Sequence, residues 1–189
     1  MRSLNRLGTR SVSIPLSADD VVEFHAARLL LLLDVCGTAG RIDSLTKMAK
    51  LDFFARYPDF FEAARQSVEP NAEVRRTTET DADLAIESAM VRHHYGPWDK
   101  RYYHVLSHLE ARRLITVAKE GSAFRLSLTD AGRERARTLS TRPSFATLVS
   151  RMRQIKSTFG RRTGSSLKAL IYRLFDEEVG RRPMGKVIR

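Results

Sequence analysis

DKRYYHVLSHLEARRLITVAKEGSAFRLSLTDAG, residues 99–132, is the stretch from which the fold is read. Asp99 is placed to cap a helix running through residues 100–113, whose apolar positions Tyr103, Leu106, Leu109 and Leu114 fall three to five residues apart. Two alternating, β-prone runs follow, joined by the polar turn Lys119-Glu120-Gly121-Ser122. Thr129 then caps a new helix, and Asp130 sets negative charge in its first turn. Helix, two-stranded wing and helix in that order form the back half of a winged helix-turn-helix. Such a module is a compact wedge that enters a nucleic-acid groove or docks another protein, and it is not in itself a catalytic scaffold.

The flanking chain supplies the front half. Residues 1–16 are polar, basic and without pattern, and are expected to be a flexible arm. Ser17 followed by Ala-Asp-Asp reads as a helix start, with the helix reaching about Val35 and ending near Gly37. Its leucine run, 29–33, is apolar on nearly every side and predicts a central core helix. Thr38-Ala39-Gly40-Arg41 reads as a turn, after which Asp43 or Ser44 caps a second helix that stops before Pro58. A short third helix over 59–64 carries Phe60 and Phe61. Residues 65–88, charged and poor in apolar material before Leu84, read as a loop or insertion, with a short helix or strand around Leu84–Arg92. Beyond the wing, the Thr129 helix reaches about Leu139 and another runs from Pro143 to Gly160. A basic turn then leads to a helix capped by Ser165 or Ser166, with the stripe Leu167, Leu170, Ile171 and Leu174. The expected architecture is mostly α with a small β-wing: a winged-helix domain over 17–140 and a basic helical extension over 141–189.

Composition narrows the function. One cysteine, Cys36, excludes an internal disulfide and fits a reducing, cytoplasmic setting; a small apolar role in a leucine-rich helix is its plain reading. No secretory signal is legible. The most apolar run, Ala26–Val35, is too short to span a bilayer and contains Arg28 and Asp34. The net charge of +11 is unevenly placed: residues 1–132 hold 18 Lys/Arg and 18 Asp/Glu, whereas residues 133–189 hold 15 and 4. A basic segment of this kind suits nucleic acid or an acidic partner, or else reflects an arginine-rich composition on solvated helix faces.

Motifs for catalysis are missing from the sequence. Neither GxxxxGK[ST] nor GxGxxG occurs, no serine sits in a GxSxG elbow, and no His is paired by sequence with Cys36. His104 and His108 have the spacing of two zinc ligands, but Val105 stands where a helical zinc hydrolase needs its glutamate. No third ligand is evident, so no metal or other cofactor is expected and the two histidines read as surface or half-buried residues. Lys100, Arg101, Arg112, Arg113 and Arg125 flank the helix and wing where a groove-binding module carries phosphate contacts. The exposed face of the same helix is unusually aromatic for that task, with Trp98, Tyr102 and Tyr103, residues that suit a protein interface or core packing between wing and front helices.

Four phrases carry a family resemblance: LTKMAKLDFFARYP (45–58), YGPWDKRYYHVLSHLEARRLI (95–115), LSLTDAGR (126–133) and SSLKALIYRLFDE (165–177). Together they resemble the small middle component of three-component ABC-ATPase systems, the Lamassu-type anti-phage defence operons. The resemblance covers residues 20–185, with KLDFF-RYP and YGPWD-RYY its more specific parts. It implies a non-enzymatic accessory subunit that joins a large SMC/Rad50-like ATPase to an effector, often a nuclease, and contacts double-stranded DNA within the complex. On this reading Tyr57, Phe60, Trp98 and Tyr102 are candidate partner contacts, and Arg161, Arg162 and Lys168 join the basic set as candidate DNA or acidic-surface contacts. The alternative is a winged-helix transcription regulator that binds DNA as a homodimer. The modest basicity of residues 99–126 counts against it.

Overall fold

The computed structural model of the protein describes residues 21–69, 91–93, 96–121 and 123–176. The expected basic arm, the helix start at Ser17 and most of the 65–88 insertion lie outside those residues.

Helix α1 (Val22–Cys36) carries the leucine run, and Leu29 through Leu33 are all buried, as a core helix requires. The chain turns through Ala39 and Gly40, both at positive φ, into a three-residue strand β1 (Arg41–Asp43). Ser44 then caps α2 (Leu45–Arg56), its hydroxyl accepting the Lys47 N–H at 3.1 Å. Helix α3 (Pro58–Val68) outlasts its expected end at residue 64. Pro58 at the first helical position forfeits no hydrogen bond, and Glu62 accepts from Arg65 one turn on, which supports the final turn.

A two-stranded hairpin, β2 (Val91–His93) and β3 (Gly96–Trp98), precedes α4 (Tyr102–Ala111). Then come the long hairpin β4 (Ile115–Glu120) and β5 (Ala123–Leu128), and α5 (Asp130–Ser140), capped by Thr129 with Gly132 N–H at 3.0 Å. A 3-10 turn over Pro143–Phe145 leads to α6 (Ala146–Phe159) and α7 (Gly164–Leu174). Thr163, rather than Ser165 or Ser166, caps α7, because its hydroxyl is the one within 3.1 Å of a first-turn N–H.

The protein is mostly helical with a small antiparallel sheet of order β1-β5-β4. Strand β1 closes on the far side of β5 with Ile42 opposite Leu126, so the hairpin is tied back to the loop between α1 and α2. Ile42, Ile115, Leu126 and Leu128 face the helices and are buried. From the other side α6 and α7 deliver Val149, Met152, Ile155, Phe159, Leu167, Leu170 and Ile171 to the same core, where Phe159 stacks on Phe54 with centroids 4.8 Å apart.

The start of α5 crosses the turn between α4 and β4 very closely. A Cβ on Gly132 would lie 1.9 Å from the Leu114 carbonyl oxygen, a backbone atom that cannot swing away. Gly132→Ala is therefore expected to destabilise the protein by about 3 kcal/mol, measured by urea denaturation, although alanine is the better helix former.

Candidate interaction surfaces and the charge network beneath them

Asp52, in the middle of α2, is completely buried. Its Oδ1 accepts from Arg28 Nε of α1 at 2.8 Å, and its Oδ2 accepts from the Tyr102 hydroxyl of α4 at 2.7 Å. Arg56, one turn further along α2, stands 4.0 Å from the same carboxylate and donates to Asp99 Oδ2 at 2.9 Å. Asp99 also accepts from the Arg101 backbone N–H and from Arg101 Nε and Nη2, at 2.8–2.9 Å. Burial drives the Asp99 carboxyl upward, but the Arg101 hydrogen bonds, with the Arg56 charge, outweigh it and hold the group well below the usual carboxylate range. Burial raises the Tyr102 phenol, and the Asp52 charge adds to that, so the hydroxyl stays a donor. Arg28 Nη1 lies 3.1 Å from His25 Nδ1; a guanidinium only donates, so Nδ1 accepts and the ring proton sits on Nε2.

This network corrects the expected geometry of α4. Asp99 binds the Arg101 N–H and two guanidinium groups instead of capping the helix, which starts two residues later than a cap at Asp99 requires. The buried stripe becomes Tyr102, Val105, Leu106 and Leu109, and Tyr103, counted among the apolar positions and also on the exposed aromatic face, is 61% exposed. Trp98 and Tyr102, expected as partner contacts, are 5% and 2% exposed and pack edge to face at 5.3 Å. In this conformation they support the surface from below: the Trp98 ring lies 6.0 Å from that of Tyr103. Tyr57 and Phe60 are half-buried within a cluster that includes Phe53 and Phe175. Of the three aromatics read onto the exposed face of this helix, Tyr103 is at the surface while Trp98 and Tyr102 are not, a separation the sequence reading did not make. A helix starting at residue 102 has the i, i+3, i+4, i+7 stripe that would have revealed it.

The basic candidates do not form one patch. Lys100, Arg112, Arg113 and Arg161 are exposed; Arg162 and Lys168 are half-buried, with Lys168 Nζ 5.8 Å from the Tyr172 ring centroid. Arg101 is committed to Asp99, and Arg125 bonds Asp43 and Glu120 across the sheet. The outward face of α4 itself consists of Tyr103, His104, Ser107, Glu110 and Ala111, and so carries one acid and no Lys or Arg. His104 is exposed and His108 half-buried, and among the described residues no three metal-ligating side chains come together. Cys36 donates to the Met152 carbonyl at 3.3 Å, and burial pushes its thiol up to about 12, leaving it a poor nucleophile at neutral pH. Among the described residues no helix is long and apolar enough to cross a membrane.

Lys50, fully buried on α2, donates to the Pro97 carbonyl at 2.8 Å and thereby holds the β2–β3 hairpin against the core. Sequence reading missed it because a lysine in an amphipathic helix is normally assigned to the solvent face. No family model, curated protein or solved structure matches the chain.

Two measurements test the network. Asp52→Asn leaves Arg28 and Arg56 facing a neutral amide and is expected to cost about 3–5 kcal/mol in urea denaturation, against about 1–2 kcal/mol for Tyr102→Phe. Lys50 titrates in a different range. Burial, with the Lys168 charge nearby, lowers its pKa from 10.5 to about 7. Between those values the unfolded chain binds the extra proton, so this residue makes stability rise as pH increases from about 7 toward 10.5. The gain is on the order of 4 kcal/mol across the window. Lys50→Met should remove that rise, seen as the difference between the two proteins' stability–pH curves.

Proposed function

We propose that the protein is a winged-helix, non-enzymatic accessory subunit whose α4 surface docks a protein partner. The particular assembly we propose is an SMC/Rad50-like ATPase anti-phage defence complex of the Lamassu type, in which the subunit links ATPase and effector in the cytoplasm. The strand order β1-β5-β4, with α4 immediately before the long hairpin, supports the winged-helix part of this reading. The resemblance of residues 45–58 and 95–115 supports the choice of assembly.

One observation carries the preference for protein over DNA. In a groove-reading winged helix the second helix of the motif presents cations and amides to bases and phosphates. Here the outward face of α4 presents Tyr103, braced by Trp98, between His104, Ser107 and Glu110. An exposed, rigidly supported tyrosine with one acid nearby fits an interface anchor and repels a duplex. Lys100, Arg112 and Arg113 at the ends of the helix, with Arg161 and Arg162 elsewhere, are the cations from which contacts to DNA held by the assembled complex would be drawn, and Lys168 joins them only at its half-buried edge.

The test is a nuclease-treated affinity purification of the tagged protein from its native host, with co-purifying chains identified by mass spectrometry. A large coiled-coil ATPase is expected at near-stoichiometric yield, and Tyr103→Glu should abolish its recovery while leaving the melting temperature unchanged. A homodimer that purifies alone and shifts its own promoter DNA, with a steep salt dependence, would replace this reading by that of a regulator.

A further inference from the structure

A cleft on the opposite flank of α4 shares only Arg112 with that docking surface. It has a volume of about 650 Å³ and lies between α1, the end of α4 and the second half of α5. Its floor is apolar: Ala26, Ala27 and Leu30 from α1, with Leu109, Leu114 and Leu139 opposite. Its rim is cationic, with Arg112 after α4, Arg135 midway along α5 and Arg142 just beyond it; among the described residues Glu23 is the single acid lining it. Among the described residues none of these three guanidinium groups takes part in a hydrogen bond or ion pair, in contrast to Arg28, Arg56, Arg101, Arg125, Arg133 and Arg151.

We propose that this cleft binds a small organic anion with an apolar body, a carboxylate or sulfonate carried on an alkyl or aryl group. The volume lies in the range of small-molecule sites, and such sites combine an apolar lining with a few placed polar groups. Three arginines without protein partners supply charge-assisted donors in fork geometry for the anionic head. The leucine and alanine floor takes the body, and the two alanines leave the depth that larger side chains would fill. A phosphodiester backbone has nothing to gain from this floor, and a neutral hydrocarbon leaves the arginines unmatched. Glu23 at the rim disfavours a second anion beside the first.

The probe is naphthoate, titrated calorimetrically into the full chain, with naphthalenemethanol as its neutral counterpart. One naphthoate per chain is expected, bound at least roughly tenfold more tightly than the alcohol, since one charge-assisted hydrogen bond is of that size. Arg135 and Arg142 are exposed, so Arg135→Ala/Arg142→Ala leaves the core intact and should weaken binding roughly tenfold or more. Ala27→Leu keeps every charge but fills the floor, and should weaken binding comparably. Equal binding of the alcohol, several weak sites per chain, indifference to Ala27→Leu, or displacement of naphthoate by a short DNA duplex would each overturn the proposal. None of these outcomes bears on whether an ATPase co-purifies with the protein.

Discussion

The carboxylate of Asp52 is the constraint on which the arrangement of the first three core elements depends. It is withdrawn from water in the centre of α2 and is tolerable there only because Arg28 and Tyr102 reach it from α1 and α4. Those bonds require one rotation of each helix, so they fix which face of α4 turns inward. Once Tyr102 is drawn to Asp52, Val105, Leu106 and Leu109 follow into the core, and Tyr103 has nowhere to go but outward. The interface that we propose is in this sense a by-product of a buried acid 50 residues earlier in the chain.

A second set of long side chains binds the C-terminal helices to the rest. Lys47 donates to the Gly160 carbonyl, Lys156 to that of Gly37, Arg151 to that of Ala55 and Arg133 to that of Ala39. Gly37, Ala55 and Gly160 lie at or just beyond the C-terminal ends of α1, α2 and α6, where carbonyls lack helical partners and the helix dipole is negative. Part of the positive excess after residue 132 is therefore structural. Arg133, Arg151 and Lys156 satisfy backbone groups and are to that extent withdrawn from any surface for an acidic partner or a nucleic acid.

What was legible in the sequence is what is decided within a few residues. The caps at Ser44 and Thr129, the leucine core of α1 and the 115–128 hairpin each depend on neighbours in the chain, and each stands as expected. Strand β1 was not legible, because three residues of mixed polarity become a strand only when β5 offers its edge 84 positions away at Ile42 and Leu126. Nor was the partnering of Asp99, whose sequence context reads as a helix cap while its ion pair with Arg56 spans 43 residues. The candidate site suffered from the same blindness to distance. Residue type identified Trp98, Arg101 and Arg125 as interaction residues, but burial and ion pairing had already occupied them.

The cations left over after this sorting are distributed in a way that bears on both proposed surfaces. Around α4, the exposed Lys100, Arg112 and Arg113 sit at the two ends of the helix, while its outward face between them is uncharged except for Glu110. Glu110 is itself partly engaged, accepting the Val117 N–H and so joining the helix to the hairpin. A duplex laid along this face would find phosphate contacts only at the extremities and a carboxylate in between, an arrangement that costs more in desolvation than it returns. A protein surface meets the same face differently: the tyrosine buries its ring, its hydroxyl stays at the rim, and the terminal arginines face whatever acids the partner places there. Arg112 lies at the boundary between this face and the anion cleft, so occupancy of the cleft and docking at α4 draw on one shared side chain.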